Sequence, residues 1–191
     1  AWIFASEINK YELEGKECTW SQDSRNLAIW REDAVQIFDT KEGRTIHSYR
    51  TDEDQIKDLS WGPESILAII RESGSIDLLN TSSGKVDHAL SFGGNKIEKV
   101  QWNPRGTAVA VTLDNDTIEI RDTHKWQILP PILEHQDKIA KISWNRHGTM
   151  LASISEEGDF KLWPHVPQAS VGHAASVYHV KWSPNGQLLV S

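Results

Sequence analysis

Short apolar segments recur along the chain at a near-constant period, and each closes on a tryptophan. Ile56-Lys-Asp-Leu59-Ser-Trp61, Ile97-Glu-Lys-Val100-Gln-Trp102, Ile139-Ala-Lys-Ile142-Ser-Trp144 and Val177-Tyr-His-Val180-Lys-Trp182 all carry aliphatic residues five and two positions before the Trp. Counting from Trp20, the five tryptophans are spaced 41, 41, 42 and 38 residues apart. A turn follows each one, as in Asn103-Pro104-Arg105-Gly106, Asn145-Arg146-His147-Gly148 and Ser183-Pro184-Asn185-Gly186, with Gly62-Pro63-Glu64-Ser65 a looser version. Pro presets φ for such a turn and Gly tolerates positive φ. A second apolar run comes next: Leu27-Ala28-Ile29, Ile66 to Ile70, Val109-Ala110-Val111, Leu151-Ala152-Ser153 and Leu188-Leu189-Val190.

A third segment alternates and ends polar: Val35 to Asp39, Ile76 to Asn80, Ile118 to Asp122 and Phe160 to Pro164. A more variable fourth segment follows, such as Thr45 to Tyr49. Each unit of about 41 residues therefore reads as four short β-strands bounded by Gly, Pro, Asn, Asp and Ser. No segment sustains a 3.6-residue apolar stripe, so an all-β chain without helix is expected. Several strands are apolar on both faces. A lone four-stranded sheet in water would not be, whereas sheets stacked around an axis bury both faces. Four-stranded antiparallel blades are the predicted building block, in units 1–41, 42–82, 83–124, 125–165 and a partial 166–191.

These residues resemble the WD-repeat β-propeller family. The likeness is strongest in the fourth unit, through Glu134-His135, Ile142-Ser143-Trp144, Leu151 to Ser155, Gly158 and Leu162-Trp163. The fifth repeats it with Gly172-His173, Val180 to Gly186 and Leu189-Val190-Ser191. The resemblance implies a buried tetrad of Trp, Ser or Thr, His and Asp. Carried over residue by residue, it offers Trp163, Ser153 and His135, with Glu157 where Asp is usual, and His173 and Ser191 in the fifth unit. Phe38, Leu79 and Arg121 replace the third-strand Trp elsewhere. Family members usually have seven blades, and this chain holds about 4.7 units. The expected architecture is an incomplete arc of a larger, seven-bladed type of propeller. Half of an assembled ring and a closed four-bladed ring are the alternatives. Open blade edges imply self-association.

Composition narrows the chemistry. The chain has 191 residues with one Cys, nine Trp and a net charge of −7. An acidic balance argues against a surface built to neutralise nucleic-acid phosphates, and no apolar run has the length of a membrane span. One cysteine excludes an internal disulfide framework and suits a reducing, cytoplasmic location. Cys18, two residues before Trp20, reads as a buried inert thiol. Asp114-Asn115-Asp116 starts like a calcium loop but lacks the later glycine and places Lys125 at the twelfth position. The Gly-rich stretch Ser91 to Lys96 lacks P-loop spacing. Eight histidines form no metal-ligand pattern. No catalytic residue, metal site or cofactor is expected.

Surface loops remain as the place for function. Loops between second and third strands and between outer and inner strands converge at one end of a propeller. Trp30, Arg31, Arg71, Asp114 and Glu156 sit there and are the candidate partner-binding residues. The resemblance implies a non-catalytic scaffold or recognition module for other proteins or peptides. The alternative is a regulatory propeller of a multidomain signalling protein whose catalytic domain lies outside this chain.

Overall fold

The computed structural model describes residues 15–52, 54–164, 181–184 and 189–190. Three four-stranded antiparallel sheets follow one another. The first holds β1 (Glu17–Trp20), β2 (Asn26–Arg31), β3 (Ala34–Asp39) and β4 (Arg44–Arg50). The second holds β5 (Ile56–Trp61), β6 (Ile66–Arg71), β7 (Ser75–Asn80) and β8 (Lys85–Ser91). The third holds β9 (Ile97–Trp102), β10 (Ala108–Leu113), β11 (Thr117–Asp122) and the two-residue β12 (Leu133–Glu134). A fourth sheet shows β13 (Ile139–Trp144), β14 (Met150–Ser155) and β15 (Phe160–Pro164), and a fifth begins with β16 (Lys181–Trp182) and β17 (Leu189–Val190). No helix occurs among the described residues.

Strand order within each sheet follows chain order, so each blade is a meander. The sequence units are offset from the blades. Unit 42–82 contributes β4 to the first sheet and β5, β6 and β7 to the second. Each repeat thus ties two neighbouring blades together covalently.

The apolar alternation is used on both faces. Leu67 and Ile69 of β6 enter one core with Ala28, Trp30, Val35 and Ile37 of the preceding blade. Ala68 and Ile70 of the same strand enter the next core, with Val109, Val111, Leu113 and Trp102 of the following blade. A third core joins Ala108, Ala110, Ile118 and Ile120 to Ile142, Trp144 and Leu151. Adjacent residues of one strand therefore supply different blade-to-blade joints, as period-2 geometry requires.

The inner-strand tryptophans seat each blade on the one before it. Trp61 Nε1–H donates to the Thr19 carbonyl at 3.0 Å, and Trp144 Nε1–H donates to the Gln101 carbonyl at 3.1 Å. Trp102 stacks the same way, but its buried Nε1 has no partner. Trp126, outside the repeat pattern, fills the same core edge-on to Trp102 at 6.0 Å between centroids. Lysines add cross-links in the forward direction: Lys57 Nζ–H donates to the Ile97 carbonyl at 2.6 Å, and Lys99 to that of Ala140.

The turns after the tryptophans stack as well. A Cβ on Gly62 would lie 2.7 Å from Trp102 ring atoms, and one on Gly106 would lie 2.5 Å from Pro63. Gly106 also needs its positive φ of 71° for the Asn103 turn, where Asn103 Oδ1 accepts from the Arg105 and Thr107 N–H groups.

Cys18 departs from expectation. It is exposed rather than buried, because β1 is exposed along nearly its whole length, with only Thr19 half-buried.

The Gly62–Trp102 contact predicts that Gly62→Ala destabilises the protein by about 1–3 kcal/mol, since a buried indole is rigid and overpacking costs this much. Urea unfolding of the two proteins checks it.

Candidate functional site

The loops joining second to third strands and outer to inner strands are hydrogen-bonded to one another at one end of the blades. Ile56 N–H donates to the Glu32 carbonyl, Glu72 N–H to that of Gln55, Asp114 N–H to that of Lys96, His135 N–H to that of Asp116, and Glu156 N–H to that of Lys138. The bonds form two linked sets, which meet where Gly74 lies close to Asn95. The composition of this loop face is acidic: Glu32, Asp33, Asp52, Glu72, Asp114, Asp116, Asp137, Glu156 and Glu157 against Arg31, Lys96 and Lys138. The opposite end is mixed, with Arg25, Lys41, Arg105, Lys125 and Arg146 beside Asp23, Glu42 and Glu64 in its turns.

Of the candidate partner-binding residues, Arg31, Asp114 and Glu156 are exposed on this face. Asp114 Oδ1 accepts the Lys96 N–H at 2.9 Å, and Glu156 pairs with Lys138 at 3.3 Å. Trp30 is a correction. It is 6% exposed and packs in the core that contains Trp61. Its place in the repeat is that of Ile70, Thr112 and Ile154, all buried, and this correspondence was the available sequence signal.

Arg71 is also drawn inward. Asp77 is buried on β7, and a buried carboxylate needs charge-assisted donors. Arg71 Nη2 supplies one, and Tyr49 Oη–H supplies another at 2.6 Å. Arg71 Nη1 lies 3.9 Å from Asp54, and Ser73 Oγ–H donates to Asp54 at 2.5 Å. Burial, reinforced by Asp77, pushes the Tyr49 hydroxyl up to about 12. The next joint repeats the idea with different residues. Arg121 pairs with Glu119 at 2.5 Å, donates to the Ser91 carbonyl at 3.0 Å and covers the Phe92 ring at 4.8 Å. Each network reaches the outer strand of the preceding blade, so these polar groups lock joints.

In the fourth blade, Ser153 Oγ accepts from Trp163 Nε1–H at 2.7 Å and lies 2.6 Å from His135 Nε2. The His135 and Trp163 rings meet edge to face, 6.3 Å apart at 78°. Glu157 is a second correction. It is exposed, and its N–H points to Asp137 Oδ1 at 3.3 Å. The carboxylate that reaches His135 is Asp159, with Oδ2 3.2 Å from Nδ1 in a close but poorly aligned contact. A tight turn bonding Gly158 N–H to the Ser155 carbonyl brings Asp159 inward. A carboxylate can only accept, so Nδ1 carries the proton and Nε2 accepts the Ser153 hydroxyl. Lys161 Nζ, 3.2 Å from Asp159, ties the acid to the blade. His173 and Ser191 lie outside the described residues.

Burial, with Lys161 nearby, holds the His135 imidazole below its ordinary value despite Asp159. Nothing in this network positions a nucleophile beside a base with an open space for substrate; its donors and acceptors are turned toward one another. The chemistry of the arrangement is cohesion.

Residues 65–147 match the family model described as the anaphase-promoting complex subunit 4 WD40 domain. Residues 166–191 match the model of the WD domain, G-beta repeat. The chain belongs to the WD-repeat family. Its structure is similar to a chain in a crystal structure of a mitotic checkpoint complex, with a TM-score of 0.69 and 17% identity over 99% of this chain. This chain spans 66% of that chain's length. At that identity the likeness defines the fold alone, a WD-repeat β-propeller, here an open arc. No curated protein sequence matches.

Two outcomes follow for the His135 network. His135→Ala and Trp163→Ala each lower stability by about 1–3 kcal/mol, from lost buried hydrogen bonds and packing; a neutral double mutant in chemical denaturation contradicts this. The pH dependence has a definite sign. His135 resists protonation in the fold, while the unfolded chain takes up a proton near 6.5. Its contribution is therefore full above that pH and lost as pH falls below it. A His135→Gln variant should show a flatter stability profile between about pH 7 and 5.

Proposed function

We propose that this protein is a non-catalytic interaction scaffold whose loop face engages a protein partner. The observation that carries the reading is the loop face itself. Loop segments from successive blades are tied by backbone hydrogen bonds in two sets, one from Glu32 to Glu72 and one from Lys96 to Glu156, which meet where Gly74 lies against Asn95, and they present Arg31, Asp114 and Glu156 to solvent. A rigid frame displaying exposed polar loops is a recognition surface. The acidic balance of this face favours a partner segment rich in Lys and Arg. The matched WD40 domain is that of a subunit of a complex, and the structural neighbour comes from a checkpoint complex. A place in a multiprotein assembly is the corresponding reading for this chain. A cytoplasmic location belongs to the same reading, supported by the single cysteine.

The test is affinity capture from cell extract with three proteins: wild type, a loop-face variant carrying Glu72→Lys and Glu156→Lys, and an opposite-face variant carrying Lys41→Glu. The expected outcome is a set of partners retained by wild type and Lys41→Glu, lost by the loop-face variant, and weakened by added salt. Partners that persist on the loop-face variant and vanish with Lys41→Glu would place recognition at the other end.

A further inference from the structure

The turns joining third to outer strands are built alike in the first three blades, but one of them has lost its glycine. Gly43 N–H donates to the Asp39 carbonyl, Gly84 N–H to that of Asn80, and Trp126 N–H to that of Asp122. All three residues sit in the left-handed region, at φ of 64°, 71° and 59°. Glycine enters that region freely and a bulky residue does not. Trp126 is held there by what its ring fills. It is 7% exposed in the core between the second and third blades, edge-on to Trp102 and tilted against His88 of β8 at 6.0 Å.

The joint between the first and second blades lacks that indole. Gly84 stands at the place of Trp126, and His47, one repeat before His88, lies so close that a Cβ on Gly84 would overlap its ring. Beside His47 a groove of about 660 Å³ runs between the two blades, lined by Asn26, Arg44, Ile46, Ser65 and Thr81 among others. A groove of this size suits a small ligand or a single large side chain. Its rim carries both signs, Arg25 and Arg44 against Asp23 and Glu42, which favours a neutral occupant. Asn26 Oδ1 is buried without a partner. Asn26 faces Asp39 at the start of β2 as Ile66 faces Asn80 at the start of β6, and Ile66 packs on the core that holds Trp126. A buried acceptor left unpaired calls for a donor.

We infer that this groove takes a tryptophan side chain from an extended segment of a partner protein, seated on His47 as Trp126 is seated on His88, with its indole N–H donating to Asn26 Oδ1. Both requirements come from the repeat. The neighbouring joint shows that an indole fits between blades at this place, and the change from Ile66 to Asn26 supplies an acceptor for the ring's one donor. The His47 ring and the Arg44 guanidinium offer planar faces for stacking. The groove lies at the end of the blades away from the linked loops. It therefore stands or falls separately from recognition at the loop face.

The test is an NMR titration of the isotope-labelled protein with N-acetyl-tryptophan amide and, separately, N-acetyl-phenylalanine amide. The tryptophan amide should give saturable shifts at Asn26, His47 and Gly84. It should bind about tenfold more tightly than the phenylalanine amide, which has no ring donor. Asn26→Ile installs the residue that the second blade carries at this position; it should remove that preference and keep the unfolding midpoint near that of wild type. Gly84→Trp should fill the groove from within, as Trp126 does in the next joint, and abolish the shifts. No saturable shift at these residues, equal binding of the two amides to wild type, or a preference that survives Asn26→Ile would each overturn the inference.

Discussion

One interaction organises the molecule: an inner-strand indole laid on the preceding blade with its N–H aimed at a backbone carbonyl. Trp61 on Thr19 and Trp144 on Gln101 are its complete forms. A tryptophan buries a large apolar area, on the order of 200 Å², and its single donor fixes where that area must land. The combination sets both the strength and the register of a joint. The glycine and proline turns below follow from it, since Gly62 lies against Trp102 and Gly106 against Pro63.

Because the joint is one-directional, every blade has two unlike faces. This is why β6 can be apolar throughout without aggregating: Leu67 and Ile69 serve the joint behind, Ala68 and Ile70 the joint ahead. Several buried polar groups brace the same seams. Asp77, Tyr49 and Arg71 join the first two blades, and Arg121 with Glu119 braces the next. The His135, Ser153 and Trp163 network holds the fourth blade to its loop. Function is left to the surface that these joints hold rigid, the linked loops at one end.

Strand positions were legible because period-2 alternation and turn chemistry are local. The tryptophan repeat made the propeller legible, since a fixed period means a stacked unit. Side-chain direction within turns was not. Glu157 stands at the residue count where an acid is expected, yet the turn through Gly158 sends it outward and brings Asp159 to His135. Trp30 and Arg71 fall at the loop end of their strands, but the first points into the stack and the second is captured by a buried acid. Composition alone could not show either. Cys18 shows the converse: an apolar setting in sequence, with no described neighbour to cover it.

The central claim is that each tryptophan stabilises two blades at once. Native-state hydrogen exchange of a Trp61→Ala variant tests it most directly. The account predicts loss of protection in β5, β6 and β7 and equally in β2 and β3, with β13 and β14 little changed. Loss confined to the second blade, with β2 and β3 fully protected, would contradict it.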